Sequence, residues 1–167
     1  MFSGKTTALI RRLDAAARAG ENPIAIKPAR DDRYAHAQLV SHANARFTAT
    51  PVASALDIPA AAAGHAVVGI DEAHFFGPAL IASTLALVQS GARVIIAGVE
   101  RDHKGRPFEP FPTLLCEADE VVKFSGPCAR CGKPAIHSQR MTADDSPIVV
   151  GGAEMYEPRC RACFGLP

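Results

Sequence analysis

A chain of 167 residues, 48% hydrophobic and 21% charged, suffices for one substantial domain with a small appendage and is too apolar to be disordered. Its formal net charge of +1 excludes a broad basic surface for duplex nucleic acid, though not a local patch, and nucleic acid is not expected as a partner. No charged start precedes an apolar run, and the Ala-rich stretch 59–70, interrupted by Gly64 and His65, is too short to cross a bilayer, so the expectation is a cytoplasmic protein without a membrane segment.

Met1 to Thr7 (M-F-S-G-K-T-T) reads as the second half of a phosphate-binding P-loop, with Ser3, Gly4, Lys5 and Thr6 matching the end of G-x-x-x-x-G-K-[ST]. Small residues let the backbone curl so that successive N–H groups face phosphate oxygens, and the helix that follows presents the positive end of its dipole to the same anion. In that reading Lys5 reaches the outer phosphates and the Thr6 hydroxyl ligates magnesium. The first glycine of the motif and its feeding strand would precede Met1, so the chain is expected to start late or to lack that strand. A helix follows from Thr6 to about Ala19, with Ala8, Leu9, Leu13, Ala16 and Ala17 at helical spacing and Gly20 past its end. Pro23–Lys27 is a short strand stopping at Pro28, and loop, helix, strand is the order of a P-loop nucleotide-binding domain.

Residues 29–42 are polar and lack a period: either a solvated loop or a segment carrying Asp31 and Arg33 to a phosphate or sugar. Phe47–Val52 reads as a strand and Ser54–Ala63 as a helix with Pro59 within it or at its break. The run A-V-V-G-I ending in Asp71-Glu72 resembles a Walker B strand, which would stand Asp71 near the Thr6 side of the magnesium; a surface turn bearing two acids is the plainer alternative. Ala79–Ser90 reads as an amphipathic helix, Ala92–Ala97 as another buried strand, Pro107–Pro112 as a proline-rich loop, Thr113–Ala118 as a helix with a buried Cys116, and Val121, Val122 and Phe124 as the last strand of the sheet.

Composition shifts at Gly126-Pro127, giving expected domains of 1–125 and 126–167. Cys128-x-x-Cys131 and Cys160-x-x-Cys163 fit a four-thiolate zinc site, structural because four thiolates leave no position for substrate. The segment between the pairs is tethered at both ends, which suits a lid over a ligand. The fold expected is α/β: a P-loop NTPase-like, mostly parallel sheet flanked by helices, with a small C-terminal zinc-ribbon domain.

Across nearly its whole length the chain resembles the cytosolic, zinc-containing thymidine kinases. The resemblance rests on M-F-S-G-K-T-T-x-L-I-R-R, I-K-P-A-R-D-D-R-Y, S-H, G-I-D-E-A-H-F-F and G-x-x-R-D-x-K-G-R-P-F, then on C-x-x-C-G-x-x-A, Q-R, V-G-G-A-E-x-Y and C-R-x-C. It implies transfer of the ATP γ-phosphoryl group to the 5′-hydroxyl of thymidine, and of deoxyuridine as a second acceptor, with Glu72 as the general base. It implies an ATP site of Met1, Phe2, Ser3, Gly4, Lys5, Thr6, Thr7, Arg33, Asp71, Ala73 and His74, with Thr6 and Asp71 holding magnesium, Asp71 through water. Pro147 to Tyr156 resembles the family's lasso loop, in which backbone groups of Pro147, Ile148, Val149, Val150 and Gly151, and the Tyr156 side chain, hold the thymine. Val99, Phe108 and Met1 would line the base pocket, with His103 where the family has Phe and His74 where it has Gln; an imidazole at 103 would alter base affinity or selectivity. Feedback inhibition by thymidine triphosphate and a homotetramer are likewise implied. Two rivals remain: a P-loop ATPase whose zinc ribbon binds nucleic acid, and an inactive remnant lacking its first strand.

Overall fold

The computed structural model describes residues 3–30, 37–40, 45–143, 146, 149, 151–152 and 154–165. Helix α1 spans Lys5–Arg18 because Leu9, Ile10, Leu13 and Ala16 return to one face and are buried there, while Arg11, Arg12 and Arg18 point to water. Ala17, expected on that face, is exposed. The chain then runs through strands β1 (Pro23–Pro28), β2 (Gln38–Val40) and β3 (Arg46–Val52). The short β2 falls within the stretch expected to be irregular; Leu39 pairs with Phe47 and is buried, which supplies the reason. The helix expected over 54–63 is split into a 3₁₀ turn, Ala55–Asp57, and α2, Ile58–Ala61. Pro59 sits in the first turn of α2, where its missing N–H costs nothing, and Ser54 Oγ accepts from the Leu56 N–H at 3.2 Å to start the tighter turn before it.

Strand β4 (Val67–Ile70) is buried at every position, as a central parallel strand requires. A 3₁₀ turn, Ala73–Phe76, leads to α3 (Ala79–Gln89), β5 (Arg93–Ile96) and α4 (Phe111–Glu117). The sheet order is β2-β3-β1-β4-β5, with only β2 antiparallel. On one face α1 packs through Leu9, Leu13 and Ala16; on the other, Ile58, Leu80, Leu87 and Phe111 close the core. Gly69 permits the close approach of α1, since a Cβ there would lie 2.8 Å from a methyl of the buried Leu13. On α3 the inward face is Leu80, Ser83, Thr84 and Leu87, with the Ser83 hydroxyl donating to the Ala55 carbonyl at 2.7 Å; Val88 points to water.

Two expectations are corrected here. Val121, Val122 and Phe124 form no strand and are exposed (45%, 51% and 41%), because no described strand lies beside them to complete a ladder. They face β5 across a groove of about 950 Å³ that also meets α1, and β5, expected to be buried, is a half-buried edge strand for the same reason. Cys116 is exposed rather than buried, since α4 turns Phe111 and Leu114 inward instead. The C-terminal part holds two antiparallel pairs: β6 (Gly126–Pro127) with β7 (Pro134–Ala135), and β8 (His137–Arg140) with β9 (Tyr156–Arg159).

Candidate active site and metal centre

Parallel strands deliver their carboxyl ends to one edge of the sheet, and the start of α1 lies at that edge. Gly4 precedes the helix with φ +87°, a left-handed turn that glycine makes without steric cost, and Ser3 and Lys5 flank it. The free N–H groups of the first helical turn, from Lys5, Thr6 and Thr7, open at this point. Lys5 Nζ lies 3.5 Å from Ser3 Oγ, and the Thr6 hydroxyl donates to Asp71 Oδ2 at 2.9 Å, across 65 residues of sequence. The helix start and the end of β4 therefore meet as their motifs predicted.

Asp71 is 5% exposed, and burial raises its carboxyl to about 7. The neighbouring Glu72 adds to the rise, while the Thr6 hydroxyl, the Glu72 backbone N–H and Lys5 oppose it. A carboxyl so disfavoured as an anion, touching a threonine hydroxyl, is a donor set that a hard divalent cation would complete, so the pair fits magnesium. Glu72 adopts φ 47° and ψ 40°, left-handed for a residue with a side chain, and its side chain stays 23% exposed. The Ala73 N–H donates to the Ala97 carbonyl at 3.0 Å, anchoring this turn to the end of β5. Buried His74 brings Nδ1 to 3.6 Å from Glu72 Oε2 and its ring to 5.5 Å from that of Phe108. His74 thus connects the acidic turn to the residues proposed for the base.

Val99, His103 and Phe108 are all half-buried and follow β5 on the same edge. Their loop is braced by Asp102, which accepts from the N–H groups of Lys104 and Arg106, both at 2.9 Å, and pairs with the Arg106 guanidinium at 2.8 Å. Partial desolvation works against its charge, yet these bonds hold the Asp102 carboxyl below its ordinary value. Of the remaining predicted residues, Val149 and Gly151 belong to the connection between β8 and β9 and Tyr156 opens β9, whereas Met1, Phe2, Arg33, Pro147, Ile148 and Val150 lie outside the described residues.

The four cysteines converge. The Sγ atoms of Cys128, Cys131, Cys160 and Cys163 lie within 4.8 Å of one another. Cys131 Sγ is 3.6 Å from that of Cys160 and 3.7 Å from that of Cys163. The edge of a tetrahedron with zinc–sulfur bonds of ~2.3 Å is about 3.8 Å, so the cluster fits zinc. Proton affinities are divided unevenly inside it. Backbone hydrogen bonding at Cys160 lowers the Cys128 thiol to about 6, while hydrogen bonds to the neighbouring sulfurs push Cys163 up to about 12. Such crowding of incipient thiolates is what a bound cation relieves.

Two residues escaped sequence reasoning. Lys27 is only 3% exposed and stands one position beyond the Ile26–Ile70 pair, at the level of Asp71. Its signal was a lysine ending an apolar run. Arg140, 8% exposed, gave no local signal because its partners, the Ser146 carbonyl and the Tyr156 hydroxyl, are brought near only by the fold.

No helix among the described residues is long and apolar enough to cross a membrane. A family model described as thymidine kinase matches residues 1–164. Over all of this chain and 78% of its own length, a thymidine kinase of Rhodothermus sp. is 46% identical. The thymidine kinase of Coprothermobacter proteolyticus is 45% identical over all of this chain and 87% of its own. That of Bacteroides fragilis is 43% identical over 98% of this chain and 82% of its own.

Proposed function

Because the chain belongs to the thymidine kinase family, we propose that it transfers the γ-phosphoryl group of ATP to the 5′-hydroxyl of thymidine, and to that of deoxyuridine as a second acceptor. The observation that carries this reading is the meeting of the Lys5–Thr6 helix start with the Asp71–Glu72 turn, through the 2.9 Å bond between Thr6 and Asp71. Phosphoryl transfer needs positioned reactants and compensated charge more than covalent chemistry from the protein. The ATP phosphates lie along residues 1–7, with the helix N–H groups and Lys5 on their oxygens, Arg33 beside them, and Ala73 and His74 at the far wall. Thr6 and Asp71 would hold magnesium, Asp71 through water, and the ion supplies charge neutralisation at the β- and γ-phosphates. Glu72 takes the proton of the 5′-hydroxyl as that oxygen bonds to the γ-phosphorus and ADP departs. Its backbone conformation fixes the carboxylate at the sheet edge rather than among solvent, which supports the role.

The thymine ring lies among Val99, His103, Phe108 and Met1, and is held by backbone groups of residues 147–151 and by Tyr156. The cysteine cluster carries structural zinc and staples the base of that loop. We place the boundary between a nucleotide domain, 1–125, and a zinc-binding domain, 126–167, at the start of β6. A homotetramer, a cytoplasmic location and inhibition by thymidine triphosphate in the same pocket belong to the same reading.

The test is direct assay of the zinc-loaded chain with magnesium-ATP and thymidine, deoxyuridine or deoxycytidine, products separated by chromatography. Thymidine and deoxyuridine monophosphates are expected. Hydrolysis of ATP stimulated by DNA, with no nucleoside phosphorylated, would replace this reading with that of an ATPase.

A further inference from the structure

Arg140 ends β8 directly opposite Tyr156, the first residue of β9, so the two form the last rung of the ladder, with the Met141 N–H donating to the Met155 carbonyl at 2.9 Å just beyond it. The rung is closed by side chains. Arg140 Nε and Nη2 donate to the Tyr156 hydroxyl oxygen at 3.2 and 2.9 Å, and the Tyr156 hydroxyl donates to the Val149 carbonyl at 2.9 Å. Arg140 Nη1 donates to the Ser146 carbonyl at 2.6 Å. A phenolic oxygen has two lone pairs and one proton. With both lone pairs taken by a guanidinium, which can only donate, the proton has to go to an acceptor, and Val149 provides it. A single buried cation thus reaches two separate carbonyls of the loop, one directly and one through tyrosine. Only a planar fork of N–H groups can do both; an ammonium placed on Tyr156 cannot also reach Ser146.

We propose that Arg140 is a positioning residue for the nucleoside: its ties to Ser146 and, through Tyr156, to Val149 set the loop backbone where it meets the base. This rests on the thymidine kinase reading, because the same carbonyls would otherwise position nothing. These bonds from Arg140 go to Ser146 and Tyr156, so its effect is expected at nucleoside capture.

The test compares the zinc-loaded wild type with Arg140→Lys by steady-state kinetics and by hydrogen exchange of the peptide covering 141–155. Loss of one charge-assisted hydrogen bond, ~1.5 kcal/mol, corresponds to a rise of about tenfold in KM for thymidine. KM for ATP and kcat are expected to stay within about threefold of the wild type on the same reasoning, with faster exchange in 141–155 and none in β1 or β4. Unchanged exchange overturns the proposal; so does faster exchange with KM for thymidine unmoved, or moved together with KM for ATP. If Arg140→Lys fails to retain zinc, Arg140→Gln, which keeps a planar donor group without the full fork, tests the same tie and must show the same split. A wild type that phosphorylates no nucleoside sinks the kinase reading itself, and with it this role for Arg140, whereas an active wild type with unaffected variants sinks only the latter.

Discussion

Glu72 occupies a backbone conformation that side chains other than glycine's rarely adopt, and it does so one residue beyond a fully buried strand. Strain of this kind, of order 1–3 kcal/mol, persists only where the surroundings enforce it. Here the bond from Ala73 to Ala97 does so. With Glu72 as the base, Glu72→Gln keeps the shape and loses the proton acceptor, and kcat is expected to fall by about 10²–10⁴ with little change in Tm; kinetics and thermal unfolding on one preparation check both. Asp71 gives a second expectation. Its carboxyl, raised to about 7 from 3.8 chiefly by burial, contributes stability that is complete below the unfolded value and is lost as pH rises through the folded one. Without divalent metal the chain should therefore become less stable between about pH 4 and pH 7, and Asp71→Asn should flatten that limb in thermal melts. The same proton competes with magnesium, so the metal should bind more tightly as pH rises through this range. Both acids were legible in the sequence, because an apolar run ending in two carboxylates is a local pattern. Arg140 was not, since nothing in Q-R announces that its acceptors stand further along the chain.

Elements with an internal period were readable too. Helix α1 shows its buried face in Leu9, Leu13 and Ala16, and β4 shows four buried positions in a row. What failed was 121–124, apolar enough for a strand yet without one, because a strand exists only where a neighbour offers hydrogen bonds. The hairpin β8–β9 was invisible for a related reason: H-S-Q-R and Y-E-P-R carry no alternation, and with Cys160 of the thiolate cluster directly after β9 the pairing depends on what lies beside it. That dependence predicts how metal removal acts. Chelation should release one zinc per chain, raise exchange in β8 and β9, and abolish thymidine phosphorylation. Binding of a fluorescent ATP analogue, whose proposed contacts all lie within residues 1–74, should persist. If ATP binding vanishes together with zinc, the two halves are not energetically separable in this way.

Among the described residues, α1 and the α2–α3 layer cover the sheet faces and β2 and β3 finish one edge, while β5 presents its edge to the groove rimmed by Val121, Val122 and Phe124. An unpaired strand edge beside exposed apolar side chains is a template for further pairing. At raised concentration, association beyond the proposed tetramer is expected at this edge, seen as larger species by sedimentation velocity and reduced by Val122→Lys at the rim. A single closed tetramer unaffected by that substitution would instead favour an interface elsewhere. The order of elements and the site at the carboxyl edge followed from sequence; the state of β5 did not, because whether a strand is central or peripheral depends on what lies next to it.

Arg140 and Tyr156 face each other across one rung, so the two ends of the β8–β9 connection stand side by side like two posts. Whatever is threaded between those posts can lengthen or change composition at an entropic cost that grows only logarithmically, without shifting either post. Replacements within the sequence 141–155 are accordingly expected to leave the rung in place. On the proposed function, grafting within that stretch is expected to change preference among pyrimidine nucleosides while leaving the proposed phosphate contacts of residues 1–7 as they are.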